Sequence, residues 1–357
     1  MSSTDDEPTG TTATSGGTSL DELIPAALQH LRQAGVPSPR ADLELLLAHV
    51  LGIGRGEAAA AIAAGRLISE AQAQRWHGLV AERGRRIPLQ HLTGLAPFRS
   101  LQLRVGPGVF IPRPETEQVA QVVLDHLARR RTARPSAARP LRVIDLGTGS
   151  GALAAAIAAE TPGIEVHAVE VSEQAAAWAR LNLEPLGVTL HRMDLRELPD
   201  QWRGSFDVVV SNPPYIPPRM VPQDPEVRDH DPQLALYGGG EDGLELPRAV
   251  VGAARELLTP GGWFILEHAE VQAEAIAAYM RRFPDLVGVR THQDLTGRDR
   301  AVSAHLDSGL NTGLDTGLNT GLSAGLSTGL DTRPATWSDA GPSTRPSARA
   351  SAPTMGE

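Results

Sequence analysis

Apolar residues recur at helical spacing through the first quarter of the chain, after a start that contains almost none. Residues 1–18 are mostly Ser, Thr, Gly, Asp and Glu, and they are predicted to be a disordered tail. Four helices are expected next, the first opening at a capping box that begins with Ser19 and the fourth at one that begins with Ser69. Residues 19–86 are therefore predicted to form a small helical domain that recognises the substrate.

Short alternating segments, interrupted by glycine and proline, replace the helical pattern over residues 87–116. The runs 101–105 and 109–111, on either side of a Gly-Pro-Gly turn, predict a β-hairpin that links two domains. Arg113 and Glu115 follow just before a new helical stripe begins. Their position favours a part in helix entry for both side chains.

Beyond a basic loop, short β-branched runs alternate with helical segments, which is typical of a parallel, doubly wound sheet. The predicted strands are residues 141–146, 164–169, 188–191, 206–210 and 263–267, with a last antiparallel pair at 286–290 and 301–306. The fold class predicted is α/β, with a Rossmann-like domain over residues 117–306 that has a parallel sheet and an antiparallel final hairpin.

Two segments fall outside this alternation. Residues 216–247, after the fourth of these strands, form an insert rich in proline and glycine that suits a lid. Residues 307–357 repeat a Gly-Leu-x-Thr-like unit whose period of four fits neither a helix nor a strand. We predict that this second segment is a disordered low-complexity tail.

The amino-acid composition excludes several kinds of catalytic and metal site. All 33 basic residues are arginines, so a Walker-type phosphate lysine and a pyridoxal phosphate Schiff base are excluded. The absence of cysteine excludes disulfides, thiolate nucleophiles and cysteine-ligated metal sites. His230 lies between two aspartates without a third ligand in the pattern, so no metal is expected.

No apolar run approaches the roughly 18 residues of a membrane span, and we expect no membrane segment and a cytoplasmic protein.

The stretch Asn212-Pro213-Pro214-Tyr215 directly follows the fourth strand of the domain. Two consecutive prolines end the strand and hold Asn212 at its carboxyl end, which is where ligands bind in open α/β sheets. The Asn212 side-chain oxygen and a backbone carbonyl of the proline pair are two convergent acceptors, and these suit a planar NH2 group. Tyr215 is expected to lie flat against the substrate. A lone Asn-Pro-Pro is more often only a rigid turn, but its place at a strand end favours a catalytic site.

The first strand of the domain ends at Asp145 in a glycine-rich loop. The loop residues predicted to bind a cofactor are Gly147, Thr148, Gly149, Ser150 and Gly151. Such a loop lets the backbone approach a ligand closely, but it also satisfies a loose dinucleotide fingerprint, which leaves a nicotinamide oxidoreductase open. Glu170 and Asp194 end the next two strands and are candidates for the ribose hydroxyls and the adenine edge. With Asp145, these acids lie at three consecutive strand ends, which favours a shared adenosine site. Asn212, at the end of the following strand, is also predicted to contact the cofactor.

The glycine-rich loop, the two strand-end acids and Asn-Pro-Pro-Tyr together resemble a class I S-adenosylmethionine-dependent methyltransferase. Pro-Leu-Gln-His-Leu-Thr-Gly at 88–94 and Ile-Pro-Arg-Pro-Glu-Thr-Glu at 111–117 narrow the resemblance to the HemK/PrmC family, the peptide chain release factor glutamine N5-methyltransferases. It covers roughly residues 20–306. The resemblance implies methyl transfer from S-adenosylmethionine, leaving S-adenosylhomocysteine, to the glutamine amide of the Gly-Gly-Gln loop in class I release factors. The residues it implies for catalysis are Asn212, Pro213, Pro214 and Tyr215.

Nucleic acid is an alternative substrate, because Asn-Pro-Pro-Tyr also resembles the motif of adenine-N6 methyltransferases. The chain carries a net charge of −9, and −4 remains without the −3 of residues 1–19 and the −2 of residues 307–357. Proteins that bind nucleic acids usually carry a basic field. We therefore expect a release factor as the protein partner, no direct contact with nucleic acid, and a monomer. A module that binds S-adenosylmethionine without catalysis is a third alternative.

Overall fold

The computed structural model of the chain describes residues 17–133 and 139–309. The predicted tails, 1–18 and 307–357, lie mostly outside these two ranges. The described part contains the helical region, the linker and the α/β sheet in the order that the sequence predicts.

The helices account for the helical region at the start and for the layers on the sheet. Their bounds are α1 Leu20–Gln33, α2 Pro39–Leu51, α3 Arg55–Ala63, α4 Glu70–Gly84, α5 Leu89–Thr93, α6 Pro114–Thr132, α7 Ala152–Glu160, α8 Glu173–Leu183, α9 Pro225–His230, α10 Gln233–Leu236, α11 Glu245–Leu257 and α12 Ala273–Met280. Short 3-10 helices lie at Glu184–Leu186, Asp200–Trp202 and Glu270–Gln272. Among the described residues no single helix is long and apolar enough to cross a membrane. Helices α2 and α3, which meet at a bend of 104°, reach that length and composition only when they are taken together.

The strands form one large sheet and two small ones. Their bounds are β1 Gly17–Ser19, β2 Leu67–Ser69, β3 Leu95–Phe98, β4 Leu101–Arg104, β5 Arg142–Leu146, β6 Glu165–Glu170, β7 Thr189–Arg192, β8 Phe206–Ser211, β9 Leu258–Glu267, β10 Leu286–Gln293 and β11 Asp299–Leu306. The large sheet has the order β10-β11-β9-β8-β5-β6-β7. Its strands β5 to β9 pair in parallel, and β11 is antiparallel to both β9 and β10. The predicted α/β fold with an antiparallel final hairpin is confirmed.

Helices cover both faces of the large sheet, which explains why its central strands read as continuous apolar runs. Along β8, Val208 and Val210 pack in one core cluster with residues of α6 and α7, whereas Val209 packs with residues of α11 and α12. All three valines are fully buried. Each contributes about 1.5 to 3 kcal/mol of burial free energy relative to an exposed side chain. The strand that carries Asn-Pro-Pro-Tyr is therefore held firmly from both sides.

The N-terminal helices pack around a core of their own, with Trp76 fully buried in it. The expected capping box forms at α4, where Ser69 and Gln72 exchange hydrogen bonds of 3.0 and 3.3 Å. At α1 it does not form, because Ser19 Oγ accepts from the backbone nitrogen of Asp21 instead. Residues 17 and 18 form β1 with Ser19, paired antiparallel with β2, so the prediction that the tail extends through residue 18 is wrong.

The linker hairpin differs from the predicted one. Its β4 strand pairs with β3, which precedes it, and the run 109–111 is not a strand. Gly108 has a φ of 88°, a left-handed conformation that turns the chain away from the hairpin. Val109 and Ile111 bury their side chains against Ala175 of α8. The linker is thereby packed onto the helix that follows the glycine-rich loop.

Asn182 on α8 fastens the linker to the glycine-rich loop. Its Oδ1 accepts from the backbone nitrogen of Arg104 at 2.8 Å, and its Nδ2 donates to the carbonyl oxygens of Arg104 and Ser150 at 3.0 and 2.8 Å. Asn182→Ala is expected to lower the free energy of unfolding by about 1 to 3 kcal/mol, because buried backbone groups lose their partners. Urea unfolding measures this. Leu181→Ala, at an exposed neighbouring position, should change it by less than about 0.5 kcal/mol, and equal effects of the two changes would contradict the account.

Salt bridges join the helical region to the insert after β8. Arg83 is buried and pairs with Asp42 of α2 and with Glu226 of α9, in both cases at 2.7 Å. Arg86 forms a second bond to the Glu226 carboxylate, from Nε at 2.8 Å. Since α9 belongs to the insert, these salt bridges anchor the helical region to a segment that borders a large cavity at the edge of the sheet.

Candidate active site

A cavity of about 560 Å³ opens at the carboxyl ends of the parallel strands. It is lined by the predicted site residues Gly147, Thr148, Gly149, Ser150, Glu170, Asp194, Asn212, Pro213, Pro214 and Tyr215, and by parts of the insert and the linker. Gly151 is the one predicted site residue that does not line it. Its φ is 87°, and a Cβ there would lie 2.9 Å from the Leu183 side chain, so this glycine permits close packing of α7 against α8.

The glycine-rich loop is folded around the buried carboxyl of Asp145. Its Oδ2 accepts from Thr148 Oγ1 at 2.6 Å and from the backbone nitrogen of Ala154 at 3.3 Å. Its Oδ1 is buried without a hydrogen-bond partner among the described residues. Burial raises the pKa of Asp145 to about 7, against the lowering effect of these two hydrogen bonds. The loop therefore leaves one acceptor atom free beside the cavity.

Glu170 holds the other side of the loop. Its two carboxylate oxygens accept from the backbone nitrogens of Gly149 and Ser172, each at 2.8 Å. Burial raises the pKa of this carboxyl, and hydrogen bonds from the backbone of Ser172, Gly149 and Val171 oppose the rise. Each oxygen has a second lone pair, so the carboxylate can brace the loop and still accept from a ligand.

Asp194 also lines the cavity. Its oxygens accept from the guanidinium of Arg196 at 2.6 to 3.2 Å, and the side chain is partly exposed. The hydrogen bond with Arg196 lowers the pKa of Asp194. The structure therefore brings Asp194 to the cavity but pairs it with a cation that the sequence did not single out.

Asn212 is oriented by a residue from a distant part of the sequence. Its Nδ2 donates to Thr116 Oγ1 on α6 at 3.1 Å, which leaves Oδ1 as the free acceptor of the side chain. Ser211, one residue earlier, donates from Oγ to the carbonyl oxygen of Leu146 at 2.6 Å. This bond ties the end of β8 to the start of the glycine-rich loop. The glycine-rich loop and the Asn-Pro-Pro-Tyr motif are thus joined at one edge of the sheet.

A buried carboxyl that no sequence motif indicates lines the cavity together with the Asn-Pro-Pro-Tyr residues. Glu267, at the end of β9, is 3% exposed and lines the cavity with Thr116 and Tyr215. Its Oε2 has no hydrogen-bond partner among the described residues. Burial raises the pKa of Glu267 to about 7, with Glu115 acting in the same direction. The hydroxyls of Thr116 and Tyr215 approach the carboxyl and, with Arg300, oppose this rise.

Arg113 lies at the entry of α6, as predicted, but its side chain does not cap the helix. It precedes α6 as the N-cap residue without a side-chain capping bond. Its guanidinium instead donates to the buried Asp231 of the insert at 2.6 Å and lies 4.9 Å above the ring of Phe110. This pair fixes the insert against the linker beside the cavity. Among residues 17–133 and 139–309, no group of three or more histidine, aspartate or glutamate side chains is arranged to hold a metal.

Two family models match this chain, one over the N-terminal helices and one over most of the sheet domain. Residues 22–94 match the family model described as the PrmC N-terminal domain, and residues 100–222 match the model described as the methyltransferase small domain. The second match contains both the glycine-rich loop and the Asn-Pro-Pro-Tyr motif.

Three relatives match the chain over nearly their whole lengths, and each carries the name release factor glutamine methyltransferase. The relative from Bifidobacterium longum is 39% identical, with 80% of this chain and 99% of the relative covered. The one from Streptomyces coelicolor is 44% identical, with 79% and 96% covered. The one from Mycolicibacterium smegmatis is 42% identical, with 80% and 98% covered. This chain belongs to the PrmC family of release factor glutamine methyltransferases.

Proposed function

We propose that this chain transfers a methyl group from S-adenosylmethionine to the side-chain amide nitrogen of the glutamine in the Gly-Gly-Gln motif of class I peptide chain release factors. The observation that carries the proposal is the placement of Asn212. Thr116 holds its amide nitrogen, so its oxygen remains as an acceptor at the cavity that the glycine-rich loop also lines. The names of the relatives point to the same substrate and the same reaction.

The loop residues suit S-adenosylmethionine as the methyl donor. A Cβ at Gly147 or Gly149 would meet no atom within 4 Å, so the backbone there borders open space that a ligand can enter. The unpartnered Oδ1 of Asp145 suits a cationic group. Glu170 and Asp194 line the same cavity, and we assign them to the ribose hydroxyls and the adenine edge. When bound, S-adenosylmethionine supplies an electrophilic methyl group on a positively charged sulfur.

The chain's own residues address the low nucleophilicity of an amide nitrogen. Asn212 Oδ1 and the Pro213 carbonyl are assigned to accept the two N–H groups of the substrate amide. These two bonds favour a pyramidal nitrogen whose lone pair is localised. The nitrogen reaches that geometry only as the methyl group approaches, so the bonds stabilise the transition state more than the ground state. Positioning by Pro214 and Tyr215 supplies the alignment for in-line attack. The proton of the methylated nitrogen leaves to water.

We propose that the enzyme acts as a monomer in the cytoplasm, without direct contact with nucleic acid, and that residues 19–86 recognise the release factor. The charge of −4 between the two terminal segments supports a protein substrate over a polyanion. The salt bridges of Arg83 and Arg86 to Glu226 support a recognition role, since they connect the helical region to the border of the cavity.

A labelling experiment separates the candidate substrates. The enzyme is incubated with S-adenosylmethionine that carries a labelled methyl group, and with a class I release factor, duplex DNA or ribosomal RNA. We expect label in the release factor, and none in a release factor whose Gly-Gly-Gln glutamine is replaced by alanine. Label in nucleic acid alone would contradict the proposal, and the absence of label from every substrate would support a binding module without catalysis.

A further inference from the structure

Arg86 adopts a backbone conformation that favours glycine. It follows the end of α4 with a φ of 66°, in the left-handed region where a Cβ crowds the backbone. Helices α1, α2, α3 and α5 are also followed by a left-handed residue, and in each case it is a glycine: Gly35, Gly52, Gly65 and Gly94. A glycine would therefore fit this turn with less strain. The presence of an arginine points to a use for its side chain.

The Arg86 side chain joins the helical region to the insert. Its Nε and Nη2 donate to the two carboxylate oxygens of Glu226 at 2.8 and 2.5 Å, a two-point bond of specific geometry. Its Nη1 donates to the carbonyl oxygen of Gly35 at 3.0 Å, which holds the guanidinium on the helical region. Arg83, on the last turn of α4, reaches the same carboxylate at 2.7 Å and is itself held by Asp42. Two arginines from one helix end therefore fix the position of Glu226.

Glu226 is bound by the helical region, whereas its neighbours on α9 line the cavity. Asp224, the N-cap residue of α9, and Val227 both lie in the cavity wall. Val227 is buried in an apolar cluster with Ile216, and Tyr215 of the Asn-Pro-Pro-Tyr motif packs against this cluster. A displacement of α9 would therefore move a wall that contacts the catalytic motif.

The other end of α9 has a separate attachment. Arg113 of the linker donates to Asp231, the C-cap residue of α9, at 2.6 Å. Loss of the bonds to Glu226 would therefore loosen the first turn of α9 while its last turn stays attached. A loosened wall must be ordered again when a partner binds, and this ordering lowers affinity for that partner.

We propose that Arg83, Arg86 and Glu226 are positioning residues that preorganise the insert for binding of the release factor. The proposal rests on the proposed function, because it takes the release factor as the molecule that enters the cavity past α9. It gives the helical region a second task beside recognition, namely to hold one wall of the active site. Glu170 and the glycine-rich loop have hydrogen bonds of their own, so binding of the cofactor should not depend on this attachment.

Arg86→Gly tests the attachment, because it removes the guanidinium and leaves a residue that suits a φ of 66°. With the full-length enzyme and a class I release factor, KM for the release factor should rise about tenfold, the scale of a lost hydrogen bond to a charged group. The value of kcat should stay within about twofold, as expected when binding and not the chemical step is affected. The dissociation constant for S-adenosylhomocysteine should be unchanged, which also reports that the variant is folded.

Two substitutions calibrate this result. Arg86→Lys keeps the positive charge without the planar fork and should retain part of the affinity for the release factor. Arg85→Ala is the matched control, since Arg85 is the next residue along the chain and has an exposed side chain with a contact of 3.8 Å to Glu82. It should behave as the wild type, because exposed ion pairs contribute little.

Two further readouts separate the attachment from a general loss of structure. Glu226→Gln should also raise KM, and the double variant Arg86→Gly with Glu226→Gln should be no weaker than Glu226→Gln alone, because Arg86 acts through Glu226. Backbone amides of residues 225–230 should exchange hydrogen faster in both single variants, with no change in β8.

Three results would overturn the proposal: an unchanged KM in Arg86→Gly, additive losses in the double variant, or unchanged hydrogen exchange in α9. Absence of methyl transfer by the wild type would instead refute the proposed function, and the exchange measurement would still report on the attachment.

Discussion

Replacement of Asn212 by alanine is expected to lower the rate of methyl transfer by about a hundredfold to a thousandfold, which corresponds to about 2.7 to 4 kcal/mol as for a lost oxyanion-hole donor. The loss falls on the chemical step because the Asn212 oxygen holds the amide most strongly in the transition state. Affinity for S-adenosylhomocysteine should be nearly unchanged. Single-turnover kinetics with a release factor, together with calorimetry, measures the two effects separately.

Asn212→Asp sharpens this prediction. Aspartate keeps an acceptor oxygen but adds a negative charge beside the sulfonium of the methyl donor, so we expect tighter cofactor binding with a slower methyl transfer. It also removes the Nδ2 donor that binds Thr116, so the orientation of the side chain is lost. If Asn212→Ala methylated the release factor at a rate near that of the wild type, activation by Asn212 would be wrong even though the family assignment stands.

Replacement of Glu170 by alanine is expected to weaken binding of S-adenosylhomocysteine by about tenfold to a hundredfold, the range for hydrogen bonds to a charged group. Two effects combine in this variant, because Glu170 is assigned to the ribose hydroxyls and also holds the backbone of Gly149 and Ser172. Calorimetry measures the change. The wild type should bind S-adenosylmethionine and S-adenosylhomocysteine but not NADH.

The matched control for this variant is Glu173→Ala, three residues further along the chain. Glu173 lies at the start of α8 with an exposed side chain and a long contact of 3.8 Å to Arg192. Its removal should leave the cofactor affinity within about twofold of the wild type, since exposed ion pairs contribute little. Equal losses in both variants would contradict the role of Glu170, and tight binding of NADH would revive an oxidoreductase.

Sequence motifs predict those parts of the cavity whose residues are close together along the chain. Glycine-rich turns and strand-end acids predicted the cofactor side of the cavity, because parallel strands all end at one edge of the sheet. The same rule applies to Glu267, which ends β9 beside β8. A single acid at a strand end, however, has no motif around it that would distinguish it from other acids.

Other features depend on contacts between distant segments and have no local signal. Thr116 lies 96 residues from Asn212 in sequence, and only the fold brings their side chains together. The ion pair of Arg113 with Asp231 joins the linker to the insert in the same way. The predicted hairpin is wrong about its second strand, because apolar residues in 109–111 alternate as they do in a strand. Val109 and Ile111 are apolar because they are buried against α8. The assignment of Gly151 to the cofactor stays a prediction, and the contact that the fold gives this glycine is with Leu183 of α8.

The most direct test of the central claim is mass spectrometry of a class I release factor after reaction with the enzyme and S-adenosylmethionine. The account predicts that the peptide containing Gly-Gly-Gln gains the mass of one CH2 group, and that fragmentation places it on the glutamine side chain. The gain should be absent when Asn212→Ala replaces the wild type at equal concentration and short reaction time. A methyl group on another residue, or an unmodified peptide under conditions in which the wild type binds S-adenosylmethionine, would contradict it.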